Sequence, residues 1–342
     1  MKLLALILAP ESPSSRYRVA YLAPCVEACG WRVALRPAPR GWRQRRRCWA
    51  DAAAFDVVLV QKKLLQPWEW RWLRQACRRL VFDFDDALAF HERSRAAPRL
   101  SLRSWKFHAA LRAADLVLAG NSYLAELAAP WARRVVVLPT GVPVERYEPK
   151  PPATTGAAPG ASLGLVLGWI GSRSTLGYLE ALLPVLEELH RRRPEVRLKV
   201  VADAFPQSRS LPIEAVRWCE AQEAAQVASF DIGLMPLPDT PWTRGKCGLK
   251  LLQYLAAGVP VVASPVGVNK EIVRPGLNGY LAAQAREWLE RLEELARQPA
   301  LRARLGAWGR KDVEARFSLR RLGKQFADHL EELLRTGRVG GG

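Results

Sequence analysis

The sequence predicts an α/β protein built from two doubly wound parallel sheets. Three observations carry this. Short apolar runs alternate with helix-length stretches, the alternation runs through the chain twice, and a Pro/Gly/Ala/Thr segment at 150–162 (KPPATTGAAPGAS) separates the two series. A chain of 342 residues has room for two domains, each with its own core. The expected layout is an N-terminal domain over 1–149, a linker over 150–162, a C-terminal domain over 163–315 and a last helix over 316–335.

In the first series, strands are expected at 2–8, 32–35, 56–61, 80–84, 115–119 and 135–138. Each is a short, nearly continuous apolar run, as in strands covered on both faces. Helices are expected at 16–28, 67–79, 102–113 and 122–129, with Gly30 as a stop for the first and Ser122 as the cap of the last. The second series gives strands at 163–170, 196–202, 215–218, 231–235 and 259–263. Its helices fall at 175–191, 221–228, 249–257, 285–297, 300–315 and 319–335. Two such halves place a ligand beyond the carboxyl ends of the strands, in a cleft between the domains.

Charge is the unusual feature of the composition. The formal net charge is +19, with 26 Lys and Arg against 13 Asp and Glu up to residue 155 and 26 against 20 beyond it. An anionic partner is implied: an acidic membrane surface, a phosphorylated lipid or glycan, or nucleic acid. No nucleic-acid-binding motif is present, which leaves that partner the weakest of the three. Trp42, Trp49, Trp68, Trp70 and Trp72 lie among Arg43, Arg45–Arg47, Arg71 and Arg74, a mixture that suits the surface of an anionic membrane. The plain alternative is a packed Trp core with a solvated basic face. Six cysteines show no paired CxxC spacing and the four histidines no metal-ligand spacing, so no metal site is expected and the thiols are expected to be reduced, as in a cytoplasmic protein. The apolar run at 3–9 ends at Pro10 and Glu11 and is taken as a first buried strand, not a signal peptide. No run approaches the roughly 20 apolar residues of a membrane span.

The chemistry concentrates at 231–271, where a strand, a turn-rich loop and a helix follow one another. Arg244, Lys246 and Lys250 flank Gly245 and Gly248 as the chain enters that helix. A glycine-bearing loop at a helix N-terminus offers backbone N–H groups and the positive end of the helix dipole, so with these cations it suits a phosphate-bearing ligand. Residues 245–264, GKCGLKLLQYLAAGVPVVAS, followed by VGVNKEIV at 266–273 and GLNGY at 276–280, resemble the C-terminal motif of the GT-B glycosyltransferases called group 1, or family 4. The family pattern runs near E-G-F-G-L-x-L-L-E-A-x-A-x-G-x-P-V-V-A-S, then G-G-x-x-E-x-V and G-x-N-G. Both family glutamates are absent, and Gly245 and Gln253 stand in their places. Gln253 can still hydrogen-bond a ribose, whereas Gly245 offers no carboxylate and Lys246 is the candidate to take over the loop.

The resemblance implies the GT-B fold: two Rossmann-like domains facing each other across a cleft, with the last helix returning to the first domain. It also implies a retaining transferase that uses a nucleotide-diphosphate sugar and no obligatory cofactor or metal. Residues 168–175, GWIGSRST, end a strand and open a helix, and in the family this loop faces the donor diphosphate. Gly171 allows close approach, Ser172 and Thr175 offer hydroxyls, and Arg173 can grip a phosphate with two N–H groups. Lys246 and Lys250 would join them on the diphosphate, with Gln253 and Glu271 near ribose and sugar. Residues 81–86, VFDFDD, end another strand, and by alignment Asp85 and Asp86 occupy a family His-Asp pair that points toward the donor sugar. Asp85 would stabilise positive charge at the anomeric carbon or orient the acceptor hydroxyl. Three adjacent carboxylates also need a nearby cation or hydrogen bonds, and the bland alternative is an acidic turn paired with Lys62 or Lys63. Arg16 and Arg18, after the first strand, suit an anionic acceptor, with Asp83 beside them.

The expected activity is therefore sugar transfer from a nucleotide-diphosphate donor to an acceptor hydroxyl with retention, in synthesis of a cell-surface glycan, lipopolysaccharide or glycolipid. The acceptor would be a glycan or a phosphorylated lipid-linked sugar, and the enzyme cytoplasmic or peripheral at the inner face of a membrane. Two alternatives are a nucleotide-sugar epimerase of the same fold, which would convert donor with no acceptor, and a non-catalytic nucleotide- or glycan-binding protein, which would show no turnover.

Overall fold

The computed structural model describes residues 1–39, 41–90, 101–150 and 164–336. The expected linker, past Lys150, and the tail beyond Thr336 lie outside them. The chain forms two compact units: Met1–Gly141 with Thr240–Cys247 and Phe317–Gly342, and Val142–Asp239 with Gly248–Arg316.

The first unit holds a six-stranded parallel sheet of β1 (Lys2–Ile7), β2 (Arg32–Pro37), β3 (Val57–Gln61), β4 (Leu80–Phe84), β5 (Leu116–Ala119) and β6 (Val135–Val137), in the order β2-β1-β3-β4-β5-β6. Strand side chains alternate between two cores. Leu4 and Leu6 point to one face, with Trp70, Phe82 and Phe107; Leu3, Ala5 and Ile7 point to the other. The helix Leu319–Thr336 covers that second face with Leu322, Phe326 and Leu330, spaced four residues apart as one buried stripe requires. Each such side chain contributes about 1.5–3 kcal/mol on burial. The order reverses at β1, whose neighbours are β2 and β3, and open α/β sheets bind their ligands outside the carboxyl ends of the strands at such a reversal.

The second unit repeats the plan with β7 (Val166–Ile170), β8 (Arg197–Ala202), β9 (Ile213–Arg217), β10 (Ile232–Met235), β11 (Val261–Ala263) and β12 (Gly279–Leu281), all parallel, in the order β12-β11-β10-β7-β8-β9. Here the order reverses between β7 and β10. The sequence expectation of two doubly wound parallel sheets is met strand for strand, apart from β12, a three-residue edge strand too short for an apolar run to announce.

Local departures have local causes. The single helix expected at 16–28 is a turn at Pro13–Ser15, a π-helical segment Arg16–Ala20 and a short helix Ala23–Glu27, because Pro24 donates no backbone N–H and favours a helix start. The helix expected at 175–191 is two, Arg173–Glu180 and Leu183–Arg192, divided just before Pro184 for the same reason. The helix Trp42–Ala52 was not expected, since its arginine-rich sequence shows no apolar stripe. Asn121, not Ser122, caps the helix Ser122–Ala128, accepting from the Leu124 N–H at 2.8 Å.

Candidate functional site

In the first unit, the carboxyl ends of β1, β3 and β4 bring together three cations and three carboxylates. Lys62, the residue after β3, has its Nζ 2.9 Å from an Asp85 carboxylate oxygen, donates to Ser14 Oγ at 3.0 Å and also binds Asp86. Asp86 accepts at its other oxygen from Lys246 Nζ at 3.0 Å. Arg18 binds Asp83 and the Leu138 carbonyl. The loop Thr240–Cys247 is held beside β4 by Asn121, whose Nδ2 donates to the Lys246 carbonyl at 3.1 Å. Cys247 Sγ lies 3.3 Å from the Asp85 carbonyl.

The cluster differs from the expectation for the acceptor side. Arg18 and Asp83 are 1% exposed, so neither lines a surface where a glycan could reach it. Their charges are spent on each other, a buried pair whose desolvation demands that partnership. Arg16 is buried as well, its guanidinium over the rings of Tyr17 and Tyr21. Those three side chains are structural supports for the loop after β1. Asp85 and Asp86 keep partial exposure and stand at the strand end with Lys246.

Burial works to raise the Asp85 carboxyl, but the Lys62 ammonium, Arg18 and a Ser14 hydrogen bond outweigh it and hold Asp85 below the usual carboxylate range. Burial pushes the Asp83 carboxyl up against the pull of Arg18. The Cys247 thiol is driven well above its ordinary value by burial and by Asp85, which keeps it a neutral packing group.

In the second unit, residues 171–175 follow β7 and open the helix Arg173–Glu180. Lys250, in the first turn of the helix Leu249–Ala256, reaches this loop. Its Nζ lies 3.3 Å from Thr175 Oγ1 and 4.0 Å from the centroid of the Trp169 ring. A Cβ at Gly171 would come 2.2 Å from the Trp169 ring and 2.8 Å from Lys250 Nζ, so only glycine lets the loop pass here. The loop's backbone donors are largely engaged. Asp203, after β8, accepts from the Arg173 N–H at 2.6 Å, and the Ser172 N–H donates to Thr175 Oγ1 at 3.4 Å. An anion at this loop would therefore be held mainly by the exposed side chains of Ser172 and Arg173 and by Lys250. Gln253 is turned inward and donates to the Tyr147 hydroxyl at 3.0 Å, while Glu271 is exposed on the short helix Asn269–Ile272. Thus Gly171, Ser172, Arg173, Thr175 and Lys250 converge in this unit, and Lys246 is instead drawn to Asp86.

Sequence reasoning missed Ser14, Asn121 and Asp203 as members of these clusters, and gave Lys62 only as a surface partner. The strand-end rule would have found Lys62: it directly follows β3, beside the sheet's reversal.

Residues 165–298 match the family described as "Glycosyl transferases group 1". A D-inositol 3-phosphate glycosyltransferase of Frankia alni is 31% identical over 200 residues, 51% of this chain and 47% of the relative. A GDP-mannose-dependent phosphatidylinositol monomannoside mannosyltransferase of Corynebacterium glutamicum is 27% identical over 219 residues, 57% of this chain and 55% of its own. The chain spans about half the length of these curated relatives. In fold the likeness extends over nearly the whole chain. Sucrose-phosphate synthase from Thermosynechococcus elongatus superposes with a TM-score of 0.75 at 16% identity, covering 98% of this chain and 100% of that one. HepE from Anabaena, in complex with UDP and glucose, gives 0.72 at 16% identity, covering 97% and 100%. In sequence, residues 165–298 are thus similar to the group 1 glycosyltransferases, and in fold both units are similar to these two-domain GT-B structures.

Proposed function

We propose that this protein transfers a sugar from a nucleotide-diphosphate donor to an acceptor hydroxyl, with retention at the anomeric carbon. The observation that carries the reading is the convergence of Lys250 on the 171–175 loop at the sheet's reversal in the second unit. Arg173 and Lys250 would bind the diphosphate and stabilise the charge that grows on it as the glycosidic bond breaks, each charge-assisted contact contributing roughly 1.5–3 kcal/mol. Ser172 and Thr175 would hydrogen-bond phosphate oxygens. HepE is described with UDP and with UDP-glucose, which supports a donor of this class. In the first unit, Asp85, held ionised, would face the acceptor hydroxyl or the developing positive charge, with Asp86 and Lys246 beside it.

The test is a thermal-shift panel of UDP, GDP, ADP, TDP and CMP. A nucleotide at 100 times its dissociation constant should add roughly 2.7 kcal/mol to stability. Arg173→Ala and Lys250→Ala should each weaken the responding nucleotide about tenfold or more, and unchanged affinity in both would overturn the phosphate assignment. Donor conversion with no acceptor present would favour an epimerase, and a nucleotide response with no sugar released would favour a binding protein.

The acceptor side is basic, which favours a glycan or lipid-linked sugar carrying phosphate, presented at an anionic membrane. Of the tryptophans in the basic stretch, Trp49 and Trp70 are buried, while Trp68 and Trp72 are 50% and 56% exposed, one turn apart beside exposed Arg71. Leu102 and Trp105 are exposed on the helix Leu102–Ala113, which packs against the Trp68 helix. Interfacial aromatics beside arginine suit a headgroup layer. In sedimentation with phosphatidylglycerol-containing vesicles, Trp68→Ala/Trp72→Ala should lower binding about tenfold. Binding that ignores anionic lipid and salt would remove this docking mode.

A further inference from the structure

We propose that Lys62 is a positioning residue of the acceptor side: from a left-handed turn at the end of β3, its ammonium ties Ser14, Asp85 and Asp86 together and fixes the charge and direction of the two carboxylates. This deepens the reading in which Asp85 and Asp86 work on the transfer, and it rests on that reading.

Two independent features single Lys62 out. Its φ is +53°, the one positive value at a non-glycine position among the described residues. Lysine gains nothing from that conformation, which asparagine and glycine adopt far more readily, so the surroundings must hold it there. They do: the Lys62 N–H donates to the Asp83 carbonyl at 2.8 Å, continuing the β3–β4 pairing one residue past the strand. The turn aims the side chain across the strand ends, where three oxygen groups from the β1 loop and the β4 end surround its nitrogen. The side chain is only 12% exposed. Strain of this kind collects where geometry has to be exact for function.

Charge counting explains what Lys62 does there. Around Asp85 stand Lys62 from β3, Arg18 from the π-helical segment, Asp83 and Asp86 from β4 and its end, and Cys247 from the 240–247 loop, with Lys246 on Asp86. Three cations face three carboxylates. Arg18 is committed to Asp83, and Lys246 reaches only Asp86, so Lys62 is the cation in contact with Asp85. Without it, burial and two neighbouring carboxylates would push Asp85 toward its neutral form, unable to stabilise positive charge or accept a proton. The sign follows: with Lys62 present, Asp85 adds stability that holds above the ordinary carboxylate value and is lost as pH falls through its lower folded value.

The experiment is a carboxyl-carbon NMR titration of the full chain labelled at aspartate, with the Asp85 signal assigned by its loss in Asp85→Asn. Lys62→Gly keeps the left-handed turn at no steric cost while removing the ammonium. Asp85 should then titrate at least one unit higher, a tenfold change in acidity, and Lys62→Arg should restore much of the shift. Lys62→Gln, near in size but neutral, should behave as Lys62→Gly does and serves as the second variant if the glycine chain fails to fold. An Asp85 titration unmoved in the folded neutral variant overturns the proposal. So does a neutral variant that titrates higher but is not rescued at all by Lys62→Arg. The titration needs no donor, so its failure strikes the role of Lys62 alone, whereas the absence of any nucleotide response strikes the glycosyltransferase reading.

Discussion

Replacing Asp83 with alanine is expected to destabilise the first unit by about 3–5 kcal/mol, the cost of stranding a buried cation. Arg18 lies against the Leu138 carbonyl and is 1% exposed, so without Asp83 its guanidinium keeps that neutral acceptor and loses the carboxylate it binds. Arginine cannot escape by losing its proton, because a guanidinium stays protonated even when it is buried. The chain must then let water in or turn the loop after β1 outward, and either loosens Ser14 and the Lys62 cluster. Urea unfolding followed by a first-unit probe would measure the loss. The double replacement Arg18→Met/Asp83→Ala should recover part of it, because the uncompensated charge goes with the arginine. A single-variant loss below about 1 kcal/mol would mean that the guanidinium is solvated and the pair is not buried in solution.

That pair also marks the limit of what the sequence discloses. The parallel strands other than β12 were legible as short, mainly apolar runs, and the last helix because its apolar residues recur every fourth position. The segment 81–86 announced an acidic strand end that required cations. What it could not disclose was which cation answers which acid. Arg16, Arg18, Lys62, Lys63 and Lys246 all looked alike as basic residues near loops, and the choice depends on a π-helical turn and a left-handed residue that no periodicity reports. The placing of Lys246 beside Asp86 was hidden for a related reason. Its neighbours in sequence form a helix start of the phosphate-binding type, but the 240–247 loop packs with the first unit, and the helix begins at Leu249, after Gly248 in the left-handed region. Lys250, one turn on, is the residue that reaches the 171–175 loop.

Restoring the first family carboxylate by Gly245→Glu is expected to fail, at a cost of about 1–3 kcal/mol. Gly245 has ordinary backbone angles, φ −76° and ψ −6°, so its conformation does not demand glycine. Contact does. A Cβ at this position would lie 2.6 Å from the Ala87 Cβ and 2.7 Å from the Ala87 backbone nitrogen, and backbone cannot swing aside as a side chain would. Gly245→Ala should therefore cost nearly as much as Gly245→Glu, since the first carbon already clashes. Both should shift the loop enough to weaken the Lys246 contact with Asp86 and the Asn121 bond to the Lys246 carbonyl. A glutamate variant as stable as the parent, with alanine equally harmless, would show that the loop has room and that glycine there is no packing requirement. At the second position, Gln253 is 3% exposed and donates to the Tyr147 hydroxyl, a bond a carboxylate can only accept. The two departures from the family pattern are thus built into their surroundings by packing at one and hydrogen-bond direction at the other.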